Sequence, residues 1–340
     1  MRNSMRDYNQ IVMKTYEQML PFFSTESGLE YVDQFVYSNN SVYRGQMKKV
    51  DEAMRLRMKS SEETSSANSI KGGALQNRLS AKCDSIKDIH GQTSNEPMAD
   101  EGQRNNKDNA NDQLKSDSES PTIVRHGYGV QYWTDGAHYE GQWSFNKAEG
   151  QGTFWHAEGD VYRGEFKNDM ANGYGDYTHI NGSKYRGEFR DDVQEGHGEE
   201  EWIDGAKYIG SYKNGMKDGY GVYKWSNGSV YKGNWVLNKI CGYGEYTWND
   251  QRTYQGYWLD NNMHGQGIYK WADGRKYEGD YMNDKKHGYG IYTYPDGRSY
   301  KGQWANGKQH GEGIFITPQG EQRRGIWNEG KRVKWIEDDE

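Results

Sequence analysis

Three features of this 340-residue chain could do chemistry: a glycine-spaced loop, the histidines and one run of acids. The loop, Gly302–Gln309, has the glycine and lysine spacing of a phosphate-binding loop. However, Gln309 stands where such a loop needs Ser or Thr, and no strand-to-helix pattern surrounds it. We therefore interpret the loop as a polar connector between repeated units.

The histidines and acids do not form a recognisable catalytic or metal centre. Five histidines lie beside or within Gly-x-Gly sequences, and no two have the spacing of metal ligands. The acidic run from Asp191 to Asp204 could attract a cation or a basic partner, but such runs are more often solvated faces. We predict no catalytic residue, no metal site, no cofactor and no enzyme activity. The five histidines are His126, His197, His264, His287 and His310.

A period of 23 residues organises the chain after residue 120. Tyrosine recurs at this spacing from Tyr139 to Tyr300, with glycine two residues later and an aromatic residue two further on. A Gly-x-Gly pair keeps the same period nine times, from Gly127 to Gly313. A fixed period of this length indicates a repeat array.

Each unit predicts a β-hairpin. The Gly-x-Gly strand ends in alternating aromatic residues, and an Asx-Gly turn such as Asn227-Gly228 leads to the Tyr-x-Gly strand. Because alternate residues share a face, an odd turn places all rings and glycines on one side of the sheet. We predict a three-residue turn ending in a left-handed glycine, and an opposite face of Lys, Glu, Arg, Thr and Gln that is wet.

Composition limits the partners and the compartment. The net charge is −7 with both signs interspersed, which argues against nucleic acid. Cys83 and Cys241 have no metal or redox spacing, so a reducing, cytoplasmic setting is expected. No stretch has the apolar length needed to span a bilayer.

The first 120 residues differ in kind, since all 12 tryptophans follow them. Residues 4–20 predict an amphipathic helix that ends at Pro21, either packed on the chain's own array or docked on a partner. Residues 47–60 have the pattern of a basic amphipathic helix, and residues 61–120 that of a disordered segment with a weak helix near residues 75–89.

Residues 30–47 match the repeated sequence of the array but lack its Gly-x-Gly pair. Tyr43 and Gly45 correspond to Tyr231 and Gly233. The hairpin that begins at Gly127 lacks a preceding Tyr-x-Gly strand. We hypothesise that residues 30–47 fold back as an extra hairpin covering that sheet edge.

The repeated unit resembles the MORN (membrane occupation and recognition nexus) repeat. The resemblance is strong over residues 126–327 and partial over 30–47, and it implies an all-β, elongated single-layer antiparallel array of hairpins. We predict an N-terminal helix and linker (1–29), an isolated hairpin (30–47), a disordered linker (48–122), a nine-hairpin array (123–330) and an acidic tail (331–340).

The resemblance implies a non-catalytic, protein-binding scaffold similar to those of cilia, axonemes and the cytoskeleton, including radial spoke heads. Its protein partners would supply an amphipathic helix or an added strand, and homo-oligomers are a further option. The alternative is a peripheral protein that binds anionic phospholipid or tethers membrane to cytoskeleton, with residues 47–60 as its basic patch. The candidate partner-binding residues, whose alternative role is simply to form the core, are Trp235, Tyr246, Trp248, Trp258, Tyr269 and Trp271.

Overall fold

The computed structural model describes residues 14, 16–51, 54 and 122–336, and nearly all of them form one open antiparallel sheet. It has 21 strands, each paired with the next along the chain. The predicted all-β, single-layer architecture is therefore confirmed. The helical segments are α1 (Tyr16–Met19) and a 3-10 turn (Leu20–Phe22).

The strand bounds follow the 23-residue period. The strands are β1 (Leu29–Val36), β2 (Val42–Val50), β3 (Thr122–Tyr132), β4 (His138–Ser144), β5 (Lys147–Trp155), β6 (Val161–Lys167), β7 (Met170–Thr178), β8 (Lys184–Arg190), β9 (Val193–Glu201), β10 (Lys207–Lys213), β11 (Met216–Lys224), β12 (Val230–Val236), β13 (Lys239–Thr247), β14 (Thr253–Leu259), β15 (Asn262–Lys270), β16 (Lys276–Met282), β17 (Lys285–Thr293), β18 (Ser299–Ala305), β19 (Lys308–Ile316), β20 (Gln322–Asn328) and β21 (Lys331–Trp335).

The turn within each hairpin has the predicted odd length. Between β3 and β4, the Trp133 N–H donates to the Ala137 carbonyl at 2.9 Å, and the Gly136 N–H donates to the Trp133 carbonyl at 3.2 Å. Three residues are thereby enclosed, and the last, Gly136, has φ +98°. The odd turn places the rings of both strands on one face, which we call the ring face; the opposite side is the outer face.

The connectors between hairpins are two-residue turns with both residues left-handed. Phe145 and Asn146 have φ 45° and 71°, as a type I′ turn requires. The second turn residue also reaches back to the preceding connector: the Asp192 carboxylate accepts the Ala171 N–H at 2.7 Å. Burial raises the pKa of Asp192 to about 6. Where the second turn residue is Asn or Asp, such a side-chain bond ties the connector to the preceding hairpin.

The two glycines of each Gly-x-Gly pair have different roles. Gly242, the first of its pair, has φ +76° at a bulge where β13 places three residues opposite Asn234 alone. Gly244, the second, lies beneath the Tyr231 ring. The Tyr231 hydroxyl donates to the Asn234 carbonyl at 3.0 Å, at the residue where the ladder register shifts. The alternation of the sequence predicts that both glycines of a pair lie on the ring face with the rings; the first glycine is instead required by its backbone conformation.

The hypothesis that residues 30–47 cover the array's first edge agrees with the observed pairing. β1 and β2 form a hairpin, and β2 pairs with β3 from Val42↔Tyr132 to Val50↔Thr122. The added strand leaves β1, rather than β3, at the edge of the sheet.

Three expectations are corrected. Residues 47–50 belong to β2 and not to a basic helix or a linker, because they pair with β3. Residues 331–335 form β21 against β20 rather than an acidic tail. α-Helix is confined to residues 16–19 in the described part of the predicted helix over 4–20. Residues 1–13, the expected disordered segment and weak helix within 61–120, and the acidic end 337–340 lie outside the described residues.

Candidate functional site

The Tyr-x-Gly strands build a continuous row of rings along the ring face. Tyr231 contacts Trp235 and Trp258 edge to face, at ring-centroid distances of 5.4 and 5.8 Å. Tyr254 repeats the arrangement with Trp258 and the next hairpin's Tyr281. Edge-to-face contact suits the ring quadrupoles and links each hairpin to its neighbour. Tyr231 is fully buried.

The aromatic residues of the Gly-x-Gly strands form a second row beside the first. Tyr246 and Trp248 are 4.4 Å apart, and Trp248 lies 5.2 Å from Tyr269 in the next hairpin. Tyr269 in turn contacts Trp271 at 4.4 Å. These rings shield the ring face from water.

The structure brings the six candidate partner-binding residues together, but places them in the core. Five are buried and Trp271 is half-buried. Trp235 and Trp258 belong to the first row and the other four to the second. Binding of a partner through them stays a prediction, and a partner would have to displace the rings from one another. The six are Trp235, Tyr246, Trp248, Trp258, Tyr269 and Trp271.

Two lysines occupy a ring-face position that holds Ile240 and Met263 in the intervening hairpins. Lys217 donates to the Glu200 carboxylate at 3.0 Å and lies over Trp202. Lys286 lies over four rings at 4.6 to 5.4 Å. In the described part of the chain it makes no ion pair. Its burial, together with the charge of Arg275, lowers its pKa to about 8. The four rings are Trp271, Tyr277, Tyr292 and Trp304.

Replacing Lys286 by methionine is expected to raise the free energy of unfolding at pH 7 by about 1 kcal/mol, because a desolvated cation is replaced by the residue found at Met263. A lowered folded-state pKa costs stability below about pH 8, and the cost disappears as the pH rises toward the unfolded value of 10.5. The advantage of the variant should therefore shrink between pH 8 and pH 10. Urea unfolding followed by tryptophan fluorescence measures it.

Lys217→Met is the matched control. It should lower the free energy of unfolding by about 2 kcal/mol, because it leaves the half-buried Glu200 carboxylate without its cation. Equal changes in the free energy of unfolding for Lys286→Met and Lys217→Met would contradict the difference between a lysine without an ion pair and a lysine paired with Glu200.

The outer face is not uniformly polar, which corrects the expectation of a wet face of Lys, Glu, Arg, Thr and Gln. The residue between the two glycines of a Gly-x-Gly pair points to this face. Where it is tyrosine, the ring is about half exposed, except at Tyr128, which the N-terminal segment covers; Tyr220, for example, is 60% exposed. Alternation along the strand could have revealed these rings in the sequence, since the middle residue must face away from both glycines. The exposed tyrosines of this face are Tyr174, Tyr220, Tyr243, Tyr257 and Tyr289.

At the start of the array the outer face is covered by the chain's own N-terminal segment, residues 16–26. Phe22 stacks on Tyr128 with ring centroids 5.0 Å apart, and Met19 is fully buried against the same cluster. Glu26 accepts from Lys48 and lies 2.8 Å from His126, which lowers the pKa of that carboxyl. In the described end of the predicted helix, residues 16–20, packing on the chain's own array is the alternative observed.

No group of three His, Cys, Asp or Glu side chains among the described residues could hold a metal ion. The helices that the structure describes are too short and too polar to cross a bilayer.

Comparison with known proteins identifies the repeat. The model of the family described as MORN repeat matches nine segments that together cover more than half of the chain. A search of curated proteins found no match. The matched segments are 124–138, 139–161, 162–184, 185–207, 208–230, 231–251, 254–274, 277–297 and 300–322.

Solved structures offer only distant likenesses. The TCP10 domain of Danio rerio CPAP in complex with a peptide of Danio rerio STIL is 13% identical, with a TM-score of 0.37, covering 63% of this chain and 97% of that one. The SAS-4 TCP domain of Drosophila melanogaster, in complex with a proline-rich motif of Ana2, is 13% identical, with a TM-score of 0.28, covering 56% and 97%. These TM-scores are too low for an argument about function.

Proposed function

The chain belongs to the MORN repeat family, and we propose that it is a non-catalytic, protein-binding scaffold of a ciliary, axonemal or cytoskeletal assembly. The observation that carries this proposal is the difference between the faces of the sheet. The rings of the ring face pack against one another and hold the hairpins together, whereas the outer face presents exposed tyrosines in several hairpins. Exposed aromatic residues on a rigid support are typical anchors for protein partners.

The dimensions of the sheet suit a scaffold. Strands spaced about 4.8 Å apart make a 21-stranded sheet about 100 Å long when measured across the strands. Each hairpin contacts only its neighbours, so separate partners can bind at different hairpins without competing. A partner could pack a short helix on the outer face, as α1 does, or add a strand at the free edge of β1.

The cellular setting is the less direct part of the proposal. It rests on the family resemblance, since chains that are mostly MORN array resemble axonemal and protist scaffold components. Radial spoke heads are one such setting. A cytoplasmic location accords with Cys241, a free cysteine. Homo-oligomers remain a further form that the scaffold could take.

The alternative of phospholipid binding is weakened by one observation. Of the basic patch predicted over residues 47–60, Lys48 and Lys49 are engaged by carboxylates of Glu26 and Glu30. Sedimentation with anionic liposomes tests this alternative. Pull-down that disappears when Lys48, Lys49, Arg55 and Arg57 are neutralised would favour it over the scaffold.

Proximity cross-linking of the full chain in its native cell tests the scaffold proposal. We expect reproducible cross-links from array residues to a small set of axonemal or cytoskeletal proteins, absent for a soluble control carrying the same tag. Cross-links between two copies of the same peptide would indicate a homo-oligomer. An array that cross-links to no protein above the control would overturn the scaffold function.

A further inference from the structure

The docked N-terminal segment shows how the outer face holds a peptide. The Phe22 ring covers Tyr128, the middle residue of a Gly-x-Gly pair. Ser24 lies two residues after Phe22. The Gln46 side-chain amide accepts the Ser24 N–H at 2.7 Å and donates to the Ser24 carbonyl at 2.9 Å. Gln46 also accepts the Tyr128 N–H at 2.9 Å. One tyrosine and one side-chain amide thus hold a ring and a backbone peptide unit.

The two positions recur along the array. Gln46 lies three residues after its Tyr-x-Gly tyrosine, opposite the bulge that contains Tyr128. The pair Asn234 and Tyr243 is the one place in the nine-hairpin array where an amide and a tyrosine occupy these positions again. In the other pairs at least one of the two residue types differs: Gln142–Gln151, Glu165–Tyr174, Glu188–His197, Ser211–Tyr220, Tyr257–Gln266, Asp280–Tyr289 and Gln303–Glu312.

The surroundings of Tyr243 on the outer face contain several exposed apolar side chains. Tyr257 contacts Tyr243 edge to face at 5.4 Å, and both rings are about half exposed. The last residue of the Tyr-x-Gly strand is Val236, Leu259 or Met282 in three consecutive hairpins, and each is between 41% and 47% exposed. The three hairpins before them carry exposed cations at this position: Lys167, Arg190 and Lys213.

Charge around the site is balanced. Lys232 and Glu245 face each other in the register of β12 and β13, and Lys239 pairs with Asp260 at 3.0 Å. An occupant therefore gains more from ring contact and backbone hydrogen bonds than from net charge.

We infer that the outer face around Asn234 and Tyr243 binds a segment of a protein partner that presents an aromatic side chain two residues before an unpaired backbone peptide unit. The ring packs on Tyr243 and Tyr257, as Phe22 packs on Tyr128. The Asn234 amide pairs with the segment's backbone, as Gln46 pairs with Ser24. This site rests on the proposed scaffold function and specifies where and how one partner binds.

A synthetic peptide of residues 16–26 is the probe, because its mode of binding to such a site is visible at Tyr128. Titrated into the full chain, it should bind, and the double substitution Asn234→Ala with Tyr243→Ser should weaken binding about tenfold. Tyr174→Ser is the matched control, since Tyr174 is also half exposed on the outer face but lies beside Glu165 instead of an amide. A peptide carrying Phe22→Ala should bind about tenfold more weakly than the unmodified peptide.

Two results would overturn the site. One is equal binding to the double variant and to the parent chain, with thermal unfolding showing that both are folded. The other is binding that Tyr128→Ser abolishes and the double variant leaves intact, since the peptide would then only exchange with the chain's own segment.

Proximity cross-linking separates failure of the site from failure of the scaffold. If the double variant keeps every partner of the parent chain, the site is wrong and the scaffold function stands. If the parent chain itself cross-links to no protein, the scaffold function fails whatever the peptide does.

Discussion

Replacing Gly244 by alanine is expected to lower the free energy of unfolding by about 3 kcal/mol, because the new methyl group has no space. A Cβ at this position would lie 2.3 Å from the Tyr231 hydroxyl oxygen and 2.6 Å from two of its ring carbons. The ring cannot move away, since Tyr231 is fully buried between Trp235 and Trp258. Urea unfolding, with hydrogen exchange of β12–β14 to locate the loss, measures the effect.

Gly228→Ala is the control for a glycine whose role is conformational. Its Cβ would meet nothing within 4 Å, but its φ is +88°. The expected cost is about 1 kcal/mol, from the left-handed backbone alone. In a Tyr231→Ala background, Gly244→Ala should cost far less than in the parent chain, because the clashing ring is gone. An additive double variant would contradict a direct clash.

These substitutions show why the repeat architecture could be predicted. Tyr231, Gly233 and Gly244 are selected by a contact that recurs in every hairpin, so their spacing appears in the sequence as a period. The odd turn followed from requiring all rings on one face. The bulge at Gly242 was not predicted, because the sequence does not distinguish a glycine required for its φ from a glycine required for lack of space.

Features that occur once could not be predicted in this way. The stacking of Phe22 on Tyr128 joins two segments of unrelated sequence, so no period reports it. The pairing of Val50 with Thr122 occurs because β2 and β3 both extend beyond the repeated sequence. Lys286 shares its position with Lys217 but, unlike it, makes no ion pair among the described residues, and its four-ring environment appears only after folding.

For the six candidate partner-binding residues, the sequence left partner binding and core packing both open, and the structure places them in the core. Trp235 and Trp258 were chosen because their rings recur, but rings that recur on one face of a single sheet pack against each other and become core. Tyr243 stands between Gly242 and Gly244 and so faces the other way, where no neighbouring ring row covers it. In a single-layer array, partner contacts are better sought among residues that break the period than among those that keep it.

Raising the pH is expected to unfold the array cooperatively between about pH 10 and pH 12, because its buried tyrosines cannot ionise while folded. Burial raises the pKa of Tyr300 from 10.0 to about 12, and that of Tyr231 and the other tyrosines of the first row at least as far. A raised pKa leaves stability intact below the unfolded value of 10.0 and removes it as the pH rises toward the folded value. Each such tyrosine costs about 1.4 kcal/mol per pH unit above pH 10. The summed cost of several such tyrosines therefore exceeds a typical free energy of unfolding of about 10 kcal/mol. The tyrosines of this row are Tyr43, Tyr139, Tyr162, Tyr185, Tyr208, Tyr231, Tyr254, Tyr277 and Tyr300.

Tyr300→Phe separates this ionisation from a general effect of alkali. At pH 7 the variant should be about 1 kcal/mol less stable, since it loses the hydrogen bond from the Tyr300 hydroxyl to the Gln303 carbonyl at 3.0 Å. At pH 10.5, where the sheet is still folded, the deficit should nearly vanish, because phenylalanine has no proton to lose and the parent loses about 0.8 kcal/mol there. Urea unfolding at both pH values, with tyrosinate absorbance recorded beside tryptophan fluorescence, measures the change. A deficit that stays constant from pH 7 to pH 10.5, or tyrosinate absorbance that reaches its full value while the sheet is still folded, would show that the first ring row ionises without unfolding.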